Sequence, residues 1–215
     1  MFNMIMKLAS EVFKGFLNGA SGFGWYRNKY SSQVKALKSP YTSCFSHSVC
    51  WLMQNTSDKF KDFTPDRVTT EINSKKYQDW TKVNLSRSVL RKFKGNLNQL
   101  WDVQKKYIQD QLDAKGINKT VTWRRVNSPD MLRTVIKTSQ IVVATAPKVK
   151  ATGKTLGHIM SIVDFKKVED DWIIDDSYGD FRVGYDSGHV GKGNDLRENV
   201  MDFEKIRTGL CLYIY

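Results

Sequence analysis

Gly157-His158-Ile159-Met160-Ser161-Ile162-Val163 and, shortly after it, Trp172-Ile173-Ile174-Asp175-Asp176-Ser177-Tyr178-Gly179 decide how this chain reads. Each is a short apolar run rich in β-branched residues and bounded by glycine or acidic turn residues, the pattern of a strand. Further strands are expected at 120–126, 141–146 and 210–215, with 181–185 as another candidate. Ser128-Pro129 opens a short helix to 138, with proline at the first helical position. Residues 147–157 and 187–199, rich in glycine and lysine, read as loops.

Upstream the character is helical. Tyr41-Thr42-Ser43 precedes an apolar run, 44–54, and Thr or Ser at that place signals a helix N-cap. A short helix is expected over 65–73, with Thr64 as its cap and Pro65 at its first position. Val89, Phe93, Leu97, Leu100, Trp101, Ile108 and Leu112 recur every three or four residues until Gly116, which predicts one long amphipathic helix. Residues 25–40 read as loop. Helices first and strands second predict an α+β domain, with helices on one side of an antiparallel sheet. Residues 1–24, an amphipathic helix and a glycine-rich linker, precede a single domain over 25–215.

Composition narrows the function. The chain has 215 residues, 34 Lys+Arg against 22 Asp+Glu, and a net charge of +12. A balance this basic suits polyanionic partners: nucleic acid, anionic lipid or an acidic bacterial envelope. Cys44, Cys50 and Cys211 form neither a disulfide framework nor the paired spacing of a zinc site. No apolar stretch is long enough to span a bilayer. Lys7, Glu11 and Lys14 interrupt what would be the apolar core of an export signal. Gly153-Lys154-Thr155 lacks the upstream glycine of a phosphate loop, and the aspartates at 170–180 lack the glycine and closing glutamate of a calcium loop. No cofactor and no metal is expected.

The chemistry-bearing residues are few. Cys44 opens an apolar helix, where the positive end of the dipole favours thiolate. Cys50, on the same helix, reads as core. Of three histidines, His47 lies one turn from Cys44, His189 sits in a glycine-rich loop, and His158 opens a strand that would hold an imidazole rigidly. The following strand brings Asp175 or Asp176 beside His158. Because the pleat alternates faces, only one of them can orient the ring.

In this order, Cys44 at a helix start, Gly157-His158 with an apolar strand, and Asp-x-Tyr-Gly ending the next strand, the sequence resembles the bacteriocin-leader-peptidase-like branch of the papain-fold cysteine peptidases. The resemblance runs from about Trp25 to the C-terminus and includes phage and cell-wall-lytic members. It implies a papain-like fold and assigns Cys44 as nucleophile, His158 as base and Asp176 as orienting carboxylate. Tyr30-Ser31-Ser32-Gln33 matches the family's upstream segment, which implies Gln33 as the oxyanion-hole amide beside the Cys44 N–H. Ser177 stands where the branch often has proline, and Phe45 where a smaller or polar residue is usual. The expected function is hydrolysis of peptide bonds, in peptidoglycan stem peptides, by an endolysin or a virion-borne wall hydrolase. Such a protein is made in the bacterial cytoplasm and acts at the wall. The alternative is a non-catalytic nucleic-acid or envelope binder on a peptidase-like fold. The aligned Gln33, Cys44, His158 and Asp176 argue against this alternative, and so against nucleic acid as the partner, since binding alone needs none of them together.

Overall fold

The structure, a computed structural model, describes residues 30–35, 43–92 and 97–215. The expectations for residues 1–24 and for Thr42 as a cap lie outside them.

Six strands form one antiparallel sheet in the order β1-β6-β2-β3-β4-β5. They are β1 (Val121–Arg125), β2 (Ile141–Thr145), β3 (His158–Lys166), β4 (Asp171–Asp175), β5 (Leu196–Asn199) and β6 (Arg207–Ile214). A helical N-terminal region packs on it: α1 (Cys44–Thr56), α2 (Pro65–Ile72), α3 (Lys75–Asn84), α4 (Arg87–Lys92) and α5 (Trp101–Ala114). Two short helices, α6 (Pro129–Ile136) and α7 (Val200–Glu204), interrupt the strands. The architecture is the α+β arrangement that the order of elements predicts.

The alternation of the strands builds two cores. Val142, Ile159, Val163, Ile173, Leu212 and Ile214 face α1, whose residues from Phe45 to Met53 are almost all buried. Ile141, Val143, Met160, Ile162, Trp172, Ile174 and Cys211 face the other way, onto Leu132, Val135 and Ile136 of α6 and Val200 and Phe203 of α7. Helices therefore cover both faces, not one. Strands buried on both sides read as continuous apolar runs, and β2, β3 and β4 are such runs, so the second layer follows from their sequence.

Several element expectations need correcting. The long helix over 89–112 is divided into α4, a 3₁₀ turn (Leu97–Gln99) and α5. Phe93 lies outside the described residues. Between α2 and α4 stands α3, whose weak apolar stripe buries only Tyr77 and Thr81 and gave no periodic signal. The candidate strand at 181–185 is a 3₁₀ turn (Phe181–Val183) followed by Gly184 and Tyr185, both left-handed at φ 66° and 57°. The loop at 187–199 contains β5, a polar edge strand (Leu-Arg-Glu-Asn) with no alternation to betray it. The expected cap at Thr64 forms, accepting from the N–H of Arg67, and Ser128 caps α6 by accepting from the N–H of Met131. Ser43 does not cap α1, and its buried hydroxyl has no partner among the described residues.

Candidate functional site

Antiparallel pairing puts the start of β3 beside the end of β4, with Ser161 opposite Asp175. β3 thus runs past β4, and the chain turns immediately after Asp175. His158, first residue of β3, and Asp176, first after β4, meet at this end of the sheet. His158 Nε2 donates to Asp176 Oδ1 over 2.6 Å, with both residues almost wholly buried at 4% and 0% exposure. The carboxylate also accepts the Tyr178 N–H (2.9 Å) and Gly179 N–H (3.4 Å) at Oδ1, and the Tyr185 hydroxyl at Oδ2 (2.9 Å).

Cys44, at the tip of α1, completes the cluster. Burial lowers the proton affinity of His158, but the charge and hydrogen bond of Asp176 outweigh it. With a contribution from the Cys44 side chain, they raise its pKa to about 10. Nε2 is committed to Asp176, so Nδ1 is the nitrogen left for the thiol. Burial pushes the thiols of Cys50 and Cys211 up to about 12, where they stay protonated and inert.

Asp175 points the other way. With His47, Ser161 and Ser177 it lines a void of about 10 Å³ behind α1, and it accepts the N–H of Asp195. His47 Nδ1 meets the carbonyl of Ser31 at 2.9 Å, and burial lowers its pKa to about 4. A carbonyl can only accept, so Nδ1 carries the proton of a neutral ring. His47 thus faces away from the cluster, and His189 lies exposed in a short turn (Ser187–His189).

Gln33, 2% exposed, opens a 3₁₀ turn (Gln33–Lys35) laid against the Asp176 turn. Its N–H donates to the Ser177 carbonyl (2.7 Å), and the Ser177 hydroxyl donates to its Oε1 (2.8 Å). The oxygen of the amide is thereby taken, and the amide NH₂ is left as donor. The Tyr30 hydroxyl accepts the Gly193 N–H (3.2 Å) and lies 3.2 Å from the Gly191 carbonyl. The segment 30–35 is thus strapped across the Asp176 and Gly193 turns. With no side-chain cap from Ser43, the first-turn N–H groups of α1 open beside it.

A groove of about 760 Å³ runs over these residues, lined by Gln33, Cys44, His158 and Tyr178 and walled by Phe45, Trp101, Val149, Leu156 and Ile159. Of the described lining side chains, Cys44, His158 and Tyr178 are the ones that can titrate. Phe45 and Trp101 meet edge-on at 4.6 Å. The structure brings together all four sequence-predicted residues: Gln33, Cys44, His158 and Asp176. Sequence reading did not foresee Ser177 and Tyr185, which act on neighbours remote in the chain and belong to no motif. Among the described residues no cluster of three or more metal-ligating side chains occurs, and no helix is long and apolar enough to cross a membrane. No protein-family model matches the chain, and no curated protein matches its sequence.

Proposed function

We propose that this protein is a papain-like cysteine peptidase. The reading is carried by one observation: a thiol at a helix tip, an imidazole and a buried carboxylate meet on a groove into which an amide donor also opens. His158, kept protonated by Asp176 through neutral pH, sets a positive charge beside Cys44, which favours the thiolate. The thiolate attacks the substrate carbonyl, and the oxyanion that develops is met by the Gln33 amide and the Cys44 N–H. His158 gives its proton to the leaving amine. Water, deprotonated by the now neutral imidazole, then hydrolyses the thioester.

The proposed substrate is the stem peptide of peptidoglycan, reached by a phage endolysin or virion-borne hydrolase. The net charge of +12 suits an approach to the anionic envelope. Among the described residues, the walls of the groove bear no carboxylate and no lysine or arginine. They therefore suit the uncharged alanines of a stem peptide at the scissile bond better than its acidic residues. Isolated peptidoglycan incubated with the protein should release new amino groups, and Cys44→Ala should release none. No release by the wild type would remove this substrate.

The same net charge favours a second reading, a binding protein for nucleic acid or the envelope without catalysis. DNA binding with a steep salt dependence, unchanged in Cys44→Ala and unaccompanied by proteolysis, would support it.

A further inference from the structure

We propose that Tyr185 is a positioning residue of this site, its hydroxyl holding Oδ2 of Asp176 so that Oδ1 stays on His158. The inference rests on the peptidase reading and adds a member that sequence order does not reveal.

A carboxylate held at one oxygen can swing about its own bond. Asp176 is held at both. Oδ1 takes His158 Nε2 and two backbone N–H groups, and Oδ2 takes the Tyr185 hydroxyl at 2.9 Å. Tyr185 is itself confined: it is 6% exposed, its ring stands edge-on to His158 at 5.9 Å and to Tyr178 at 5.0 Å. Its N–H bonds the Asp180 carbonyl, and Asp180 is braced by Arg182.

The backbone supplies a second, independent observation. Tyr185 has φ 57°, next to Gly184 at φ 66°. A left-handed conformation is unfavourable for a bulky L-residue, and glycine or asparagine takes it more readily. A tyrosine kept there is a strain held in place by its surroundings, of the kind that gathers at functional sites. The outcome of that backbone is a hydroxyl delivered to Asp176.

Removing the hydroxyl leaves a buried anionic oxygen short of a charge-assisted donor. Asp176 is then free to swing away from His158 and ceases to support the imidazolium, and the thiolate forms only at higher pH. The other ionisable groups around Asp176 are His158 from β3, Cys44 from α1, and Tyr178 and Tyr30 from the loops, and all are retained. Burial and the Asp176 charge hold the Tyr185 phenol far above the ordinary range, so it remains a donor throughout.

The test reads Cys44 directly, without substrate. Iodoacetamide alkylation is followed against pH in the full chain, with Cys44→Ala as background. In the wild type, Cys44 should react faster than an ordinary thiol on the acid side, because the His158 imidazolium stands beside it. In Tyr185→Phe the acid limb should move up by about one unit, slowing alkylation on that limb about tenfold, while Tyr77→Phe, which removes a hydroxyl from the remote Asp110, leaves it in place. 3-Fluorotyrosine at position 185, a stronger donor of nearly the same shape, should move the limb the opposite way and covers the case of Tyr185→Phe failing to fold. Loosened packing alone would lower the melting temperature without moving the limb. Limbs that coincide in wild type and both variants would overturn the role of Tyr185 and leave the peptidase reading standing. A wild-type Cys44 that titrates as an ordinary thiol would overturn both.

Discussion

Asp175 and Asp176 are neighbours in the chain and face opposite ways. Asp176 lies on the side of His158 and Tyr185, and Asp175 on the side of α1, beside Ser161 and His47. Asp176→Ala should therefore lower kcat by a factor of about 10²–10⁴, as removal of a triad carboxylate does. Asp175→Asn, which keeps an acceptor for the Asp195 N–H, should cost less than about tenfold. Peptide-hydrolysis kinetics on both variants check this, and the reverse order would mean that the other carboxylate orients the base. Ser177→Ala leaves Gln33 Oε1 without its donor and frees the amide to turn. Its expected signature is a fall in kcat of about tenfold with KM unchanged, milder than the roughly 10²-fold of Gln33→Ala, because the donor is misaligned rather than lost. From sequence alone the strand pleat showed that one aspartate must face the histidine but not which one. The resemblance supplied the choice that the register now makes physical. Ser177 and Tyr185 stayed hidden because a hydrogen bond between positions 33 and 177 leaves no local pattern.

At the scale of elements, the site is a junction of ends: the tip of α1, the start of β3, the exit of β4, and the strap at 30–35. The strap and the exit turn are locked by glycine. A Cβ on Gly193 would run into the carbonyl oxygens of Asp176 and Gly179. Because the Asp176 N–H also donates to the Gly193 carbonyl, the two turns cannot separate to make room without losing that bond. Gly193→Ala should destabilise the fold by about 1–3 kcal/mol, the usual cost of overpacking, and lower kcat by displacing Asp176. Urea midpoints and hydrolysis rates on the same preparation check both effects. Strands β2, β3 and β4 were legible because two-sided burial fills them with Ile, Val and Trp. β5 was not, because an edge strand keeps its polar residues. Phe181-Arg182-Val183 alternates like a strand, yet Gly184 and Tyr185 turn the chain back onto Asp176. The run from Val89 to Leu112 has helical spacing, but Gly95-Asn96 within it is a turn signal that the spacing conceals.

For the whole molecule, two buried histidines divide the pH axis. His158 has its folded pKa raised to about 10, against an ordinary value of 6.5. The stability it contributes is fully present below 6.5 and is lost as pH climbs towards 10. His47 is depressed to about 4, so the unfolded chain binds more protons than the native one between 4 and 6.5. Across that window stability falls as pH falls, by at most about 3 kcal/mol if the whole shift is expressed. The windows barely overlap, which predicts a stability maximum near pH 6.5 with a different histidine controlling each flank. His47→Gln should lower stability at pH 6.5, because it disturbs the bond to Ser31 that holds the strap, and should also flatten the acid flank. His158→Gln should flatten only the alkaline one. Urea unfolding at pH 4.5, 6.5 and 9 separates the two, and an acid flank unchanged in His47→Gln would show that other groups control it. His158 stays charged across the whole window in which His47 titrates, so on the acid side the strap that His47 holds gives way first. Hydrolysis should therefore fail on the acid side before the fold does, since His47 reaches Gln33 through only two residues of chain.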